Sequence, residues 1–238
     1  MTRKKPIFRS LRLWLHRVTR RKVTRLDGLC LICAEDKVPR SVAAGIIKGG
    51  YELAERQLAR KAIRSTDRVI EIGAGVGVVG LICTKAASEG RVTSYEANST
   101  LETIIRENYA LNGLSPNLIL KAVTVDGSPI TFFRDPGIVS SSVIDRGLKS
   151  DQVTVESVSI KQALEETKAN VLVMDVEGGE IALLEAADLS SIREMIIEVH
   201  PHIMGEKAID GMLANLVERG FNLREKRHKT VWLSRETS

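Results

Sequence analysis

The sequence predicts an α/β fold: a mostly parallel sheet with helices on both faces, closed by an antiparallel strand pair. Three observations carry this expectation. From residue 68 onward, buried apolar strands alternate with helical patterns; a glycine loop follows the first of these strands; and Phe221–Arg224 and Thr230–Leu233 read as a closing pair. The 238 residues are 43% hydrophobic and 27% charged, which excludes disorder, collagen-like repeats and a membrane bundle. No uncharged apolar run approaches the roughly 18 residues that span a bilayer.

The first element is basic. Residues 1–25 hold ten Lys or Arg and no acid, leaving 25 basic against 30 acidic residues in the rest of the chain. The net charge of +5 therefore belongs to one segment, and a nucleic-acid role for the whole protein loses most of its support. Ile7, Leu11, Trp14, Leu15 and Val18 fall on one helical face, with Lys5, Arg9, Arg12, His16 and Arg20 opposite and only Leu13 out of place. Such a helix can lie on an anionic membrane surface, or dock on the domain with its basic face in water. The N-terminus has no continuous apolar core or small-residue cleavage site, and the chain has three cysteines. The expected address is the cytoplasm, peripheral to the inner face of a membrane if the helix docks there.

Residues 26–50, with Gly28, Pro39, Gly45, Gly49 and Gly50, read as loops and short helices. The expected division is a basic helix and linker over 1–50 and a catalytic domain over 51–238. Tyr51–Ile63 is a helix, Arg68–Ile72 a buried strand, Val78–Ala87 a helix and Val92–Tyr95 a strand. Ser99-Thr100-Leu101-Glu102 is a capping box that opens the next helix, and Asn112-Gly113 closes it. Leu118–Val123 and Ile130–Phe133 are strands; residues 134–150 form a loop too long for a mere connector. Val171–Asp175 and Met195–His200 are buried strands around a helix over Glu180–Ala187. Cys30 and Cys33 have no second pair to complete a zinc site, and His16, His202 and His228 read as surface residues.

The strongest signal is Glu71-Ile72-Gly73-Ala74-Gly75-Val76-Gly77, at a strand-to-helix turn. Glycines there admit a ligand to the backbone, and the helix beyond offers unpaired N–H groups. The register Gly73, Gly75, Val78 fails the dinucleotide fingerprint at its third glycine. Glu71 at the strand tip suits an ammonium and repels a pyrophosphate. Glu96 ends the second strand, where an acid accepts hydrogen bonds from ribose hydroxyls. A ligand with an amino acid at one end, an adenosine at the other and no phosphate is S-adenosyl-L-methionine.

These residues bring the chain to a resemblance. The glycine loop, Tyr95-Glu96-Ala97-Asn98, Asn108-Tyr109-Ala110-Leu111-Asn112-Gly113, Ser140-Ser141-Ser142 and, above all, Met174-Asp175-Val176-Glu177-Gly178-Gly179-Glu180 resemble the FkbM-type S-adenosylmethionine-dependent methyltransferases. Ile197-Glu198-Val199-His200-Pro201 resembles the family's last motif. The resemblance runs from about Tyr51 to Phe221. It implies a Rossmann-like class I methyltransferase fold with seven strands, and methylation of a hydroxyl on a small molecule or glycan. Cofactor-binding candidates are then Glu71, Gly73, Gly75, Gly77, Glu96, Ala122, Ser142, Asp175 and Glu177.

Ligands of an open parallel sheet bind outside the carboxyl ends of its strands. Asp175 closes one strand, and Glu198 and His200, two apart on one sheet face, close the next. These three are the catalytic candidates: His200 as general base, or Asp175 as base or holder of the acceptor. The same groups with Glu177 are an inventory for Mg²⁺, but no metal ligand is assigned, since such sites use one or two carboxylates plus waters. Two rival readings are a nicotinamide-dependent oxidoreductase on a similar sheet, and a non-catalytic membrane-surface or nucleic-acid adaptor working through the basic segment.

Overall fold

A computed structural model describes residues 6–134 and 151–236. The chain opens with α1 (Pro6–Val18), a hairpin of β1 (Val23–Leu26) and β2 (Leu29–Ile32), α2 (Arg40–Lys48) and α3 (Leu53–Ala62). The alternating body follows: β3 (Val69–Ile72), α4 (Val78–Ala87), β4 (Val92–Tyr95), a 3₁₀ turn over Ser99–Leu101, α5 (Glu102–Ala110) and β5 (Asn117–Ile119). Next come β6 (Ala122–Thr124), β7 (Ile130–Arg134), β8 (Asp151–Val155), β9 (Ser157–Ser159), α6 (Ile160–Thr167), β10 (Val171–Met174) and α7 (Glu180–Ala186). The chain ends through β11 (Glu194–Glu198), α8 (Pro201–Met204), α9 (Glu206–Glu218), β12 (Asn222–Arg227) and β13 (Thr230–Ser234).

Seven strands form the main sheet in the order β12-β13-β11-β10-β3-β4-β5. Five run parallel, β13 is antiparallel to β11, and β12 is antiparallel to β13. Side chains alternate across the sheet, so each strand feeds two cores. Val69, Val171, Val173 and Ile196 face one cluster, and Ile70, Ile72, Leu172, Met174 and Ile197 the other. The order reverses at β3, where β4 leaves on one side and β10 on the other, and the crevice at that switch point is where an open sheet binds ligands.

Three local expectations are corrected. The strand expected over Leu118–Val123 is two strands: the Glu96 N–H takes the Ile119 carbonyl as β4 ends, and the chain turns away to pair β6 with β9. The cap of the next helix is Asn98 rather than Ser99. Its side chain accepts from the Thr100 N–H (3.2 Å) and hydroxyl (2.6 Å), and its own N–H is held by Glu96, so the first turn is 3₁₀. The segment before Gly50 contains a hairpin, closed by Asp27-Gly28 with φ of 53° and 82°, the pairing a type I′ turn requires. Leu26, Leu29, Leu31 and Ile32 of that hairpin share one core with Val69 and Ile196 of the sheet.

The N-terminal helix is docked in the opposite sense to its apolar stripe. Leu13 packs on the core, His16 is buried with Nδ1 3.7 Å from Cys33 Sγ, and Arg12 donates to Thr24 Oγ1 (3.1 Å) and to the Arg25 carbonyl (2.6 Å). Leu11, Trp14, Leu15 and Val18 are exposed, Trp14 by 59%. His16 is thus a core residue, contrary to the surface placement expected of it, and burial pulls its pKa down. Among the described residues, no helix is long and apolar enough to cross a membrane.

Candidate active site

A cavity of about 580 Å³ lies at the carboxyl ends of β3, β4 and β10. Gly73 and Gly75 form its floor after β3, and Glu96 stands at the end of β4. Asp175 to Gly179 supply the wall after β10, and Lys121 to Val125, Ala122 among them, face it from β6. Gly73 is required by packing: at φ 90°, a Cβ there would collide with the Asp175 carbonyl oxygen.

Glu96 stands where the sequence places it, at the end of β4 and on the cavity lining. The buried carboxylate accepts from the Gly75 N–H (2.9 Å) and the Asn98 N–H (2.7 Å), one on each oxygen. Burial pushes its pKa up to about 7 against the pull of those amides. A carboxylate has roughly four acceptor positions, so a ribose diol in the cavity finds acceptors on an anchored group. Glycine backbone beside an anchored carboxylate is the donor and acceptor set an adenosine-bearing cofactor needs.

Glu71 does not reach the cavity. It projects from the other face of β3, accepts from Ser94 Oγ and lies against Gly80, where any side chain would collide with its carboxylate and with Tyr109. Burial raises its pKa to about 8. Gly77 likewise turns toward α5, where a Cβ would lie 3.1 Å from Ile105. Ser142 lies outside the described residues.

The catalytic candidates converge. One residue past the rung Met174–Ile197, Asp175 and Glu198 leave neighbouring strands side by side. His200 is 3% exposed, with Nδ1 2.7 Å from Glu180 Oε1. Its Nε2 lies 3.5 Å from Glu177, 3.7 Å from Asp175 and 3.9 Å from Glu198. Asp175 and Glu177 line the cavity, while Glu198 and His200 stand directly behind them. Glu177 is held at φ 53°, a left-handed conformation that costs a non-glycine residue on the order of 1–2 kcal/mol.

Charge accumulates here. Burial, then Glu198, Glu177, Glu52 and Glu55, hold the Asp175 carboxyl well above the usual range. Burial and Glu55 raise Glu198, against His200 and Lys229. For His200, burial lowers the pKa, but the bonded Glu180 and nearby Glu177 and Glu198 outweigh it, and the net shift is upward.

Sequence reasoning missed the side of the site supplied by residues 41–55. Ser41, Val42, Tyr51 and Glu52 line the cavity. Arg56 positions them: fully buried, it pairs with Asp27 at the hairpin turn and donates to the carbonyls of Tyr51 (2.8 Å) and Gly49 (3.2 Å). An arginine inside an apolar helix pattern was the available signal. Glu180, read only as part of a motif string, is the partner of His200.

Five parallel strands closed by an antiparallel pair at one edge, with a glycine-and-carboxylate cavity at the switch point, are the arrangement of the class I methyltransferase fold. The methyltransferase FkbM domain matches residues 71–223, and the chain belongs to that family of S-adenosylmethionine-dependent methyltransferases. None of the curated proteins compared with the chain matches it.

The chain is also similar to solved structures. The ribosomal protein L11 methylase from Lactobacillus delbrueckii subsp. bulgaricus is 15% identical over 79% of this chain and 80% of that one (TM-score 0.48). An rRNA methylase from Streptococcus thermophilus is 9% identical over 77% and 95% (TM-score 0.47). The SAM-dependent O-methyltransferase from Thermotoga maritima is 14% identical over 79% and 66% (TM-score 0.45).

Proposed function

We propose that this methyltransferase acts on a hydroxyl oxygen of a small molecule or glycan. The observation that carries the reading is the convergence of Asp175, Glu198 and His200 at the cavity wall, where an acceptor hydroxyl must lose a proton. S-adenosylmethionine, when bound, supplies an electrophilic methyl group on a sulfonium. Glu96 accepts from the ribose, and the acceptor is held in line with the methyl against Asp175 and Glu177. The acceptor oxygen forms the new carbon–oxygen bond as the carbon–sulfur bond breaks, and the proton passes into the Asp175–Glu198–His200 cluster.

The same charge argues against a nucleic-acid acceptor. Glu52, Asp175 and Glu177 line the cavity, Glu55 and Glu198 lie close to Asp175, and Lys121 is the one cation among the described lining residues, so a phosphate backbone finds few cationic partners there. The experiment is transfer of labelled methyl to a panel of hydroxylated glycans and lipids, with total RNA and protein as comparators. Alkali-stable ether products support the reading; label confined to RNA or protein overturns it.

A second reading concerns location: a cytoplasmic enzyme whose α1 rests on the inner face of a membrane. It is favoured by the exposed stripe Leu11, Trp14, Leu15 and Val18 on a segment with ten basic residues and no acid. Apolar side chains that the fold leaves outward, ringed by cations, match a bilayer of anionic lipid.

A further inference from the structure

We propose that Asp175, Glu198 and His200 bind a divalent transition-metal cation, a site the sequence reading did not assign. The inference deepens the methyl-transfer reading of this cavity and rests on it. Asp175, Glu198 and His200 each offer a donor atom, and the three atoms lie within 4.8 Å of one another. The separations of 3.7 Å and 3.9 Å from His200 Nε2 are too long for hydrogen bonds. They are close to the spacing that ligands about 2.1 Å from a shared ion adopt, roughly 3.0–3.6 Å.

Two further observations point to a ligand. Asp175 Oδ1 is buried and, among the described residues, has no hydrogen-bond partner, although buried acceptors are nearly always satisfied. The buried His200 ring is fixed by Glu180, itself 0% exposed, at its Nδ1. A proton on Nδ1 leaves the Nε2 lone pair free on the side of the ring where Glu177 (3.5 Å), Asp175 (3.7 Å) and Glu198 (3.9 Å) gather. That is the carboxylate–imidazole support that metal-ligating histidines usually have.

Charge and placement agree with this. Carboxylates crowd the site from β10, β11 and α3, and the buried guanidinium nearby, Arg56, is committed to Asp27. A dication offsets that repulsion. One imidazole with two carboxylates suits Mn²⁺, Fe²⁺ or Zn²⁺ better than Ca²⁺ or Mg²⁺. Only Asp175 of the three lines the cavity, so an ion seated among them has its open side toward the acceptor. There it would hold the acceptor hydroxyl and lower its pKa, so that with the ion bound the proton leaves to solvent instead of passing to the three side chains, which are then ligands.

The test is titration of the full chain, free of cofactor and acceptor, with Mn²⁺ followed by electron paramagnetic resonance. One saturable site per chain is expected. Glu198→Gln and His200→Gln should each abolish it, and Glu180→Gln, which only removes the support of His200, should weaken it by about 10–100-fold. S-adenosylmethionine affinity, measured in parallel by calorimetry, should stay within about threefold in all three, which also reports their folding. No stoichiometric Mn²⁺ site, or one indifferent to Glu198→Gln and His200→Gln in proteins that still bind cofactor, overturns the proposal. A metal site in a chain that binds no S-adenosylmethionine would uphold the metal and defeat the methyl-transfer reading of the cavity.

Discussion

The carboxyl edge of the sheet and the N-terminal helix both set charge beside apolar residues, yet the fold treats them in opposite ways. At the sheet edge, carboxylates from three elements turn inward onto one histidine. On α1 the apolar stripe Leu11, Trp14, Leu15 and Val18 turns outward, and the contacts with the body include Arg12, Leu13, His16 and an Arg17–Glu35 pair. The difference lies in what sets side-chain direction. Neighbouring parallel strands fix it through backbone register, so a strand-end carboxylate can point in only one way. A helix can be rotated about its axis until it suits whatever it docks on, and a short polar contact can win if the apolar stripe has another use.

The sharpest break in the comparison is catalytic. Asp175→Asn and His200→Gln should each lower turnover by about 10²–10⁴-fold in a methyl-transfer assay, with cofactor affinity kept. A His200→Gln enzyme within a factor of three of wild type would remove the histidine from the reaction. Deleting residues 1–18, by contrast, should leave transfer to a soluble acceptor within about threefold.

Glu71 gives the next effect, on stability. Its carboxyl titrates near 4.5 in the unfolded chain and near 8 when folded, so the folded state holds the extra proton between those values. Stability should therefore fall as pH rises across that window, by up to about 1.4 kcal/mol per pH unit for this group. Urea midpoints at pH 5.5 and pH 8 should show the loss, and Glu71→Gln should flatten it. Cofactor affinity of Glu71→Gln should not change, because the side chain faces α4; a tenfold loss would place it back in the site.

On the proposed ribose contact, Glu96→Ala should weaken S-adenosylmethionine binding by about 1.5–3 kcal/mol, read by calorimetry. An unchanged affinity in a folded protein would show that the carboxylate serves only the Gly75 and Asn98 amides.

The smallest effect on the fold is expected at the outer face of α1. Trp14→Ser should change unfolding stability by no more than about 0.5 kcal/mol, as surface substitutions do. It should nevertheless weaken binding to anionic vesicles by roughly tenfold, since burial of an aromatic is worth about 1.5–3 kcal/mol. That binding should fade with added salt. Equal affinity for neutral and anionic vesicles would defeat the membrane reading.

The sequence by itself determined the body of the fold. Val78–Ala87 and Val92–Tyr95 are found at the predicted bounds, because apolar period and glycine punctuation act locally. Glu198, which ends β11, and Asp175, one residue past β10, were legible because a residue at the end of a buried parallel strand emerges at the ligand-binding edge. His200 lies two residues beyond β11, at the start of α8, rather than in the strand expected over Met195–His200. The Asp27-Gly28 turn carries an equally local signal, an Asp-Gly pair between two apolar-containing runs.

Other features rest on contacts between segments far apart in the chain, which leave no local period to read. Tertiary structure alone decided that Glu71 turns under α4 while Glu96 turns into the cavity, that Arg56 draws residues 49–52 over the site, and that Glu180 orients His200. It also decided which face of α1 docks. The physical reason is common to all four. Local sequence sets where along the chain a side chain leaves its element, but the neighbour it meets, and so its hydration, charge and partner, exists only once the layers have packed.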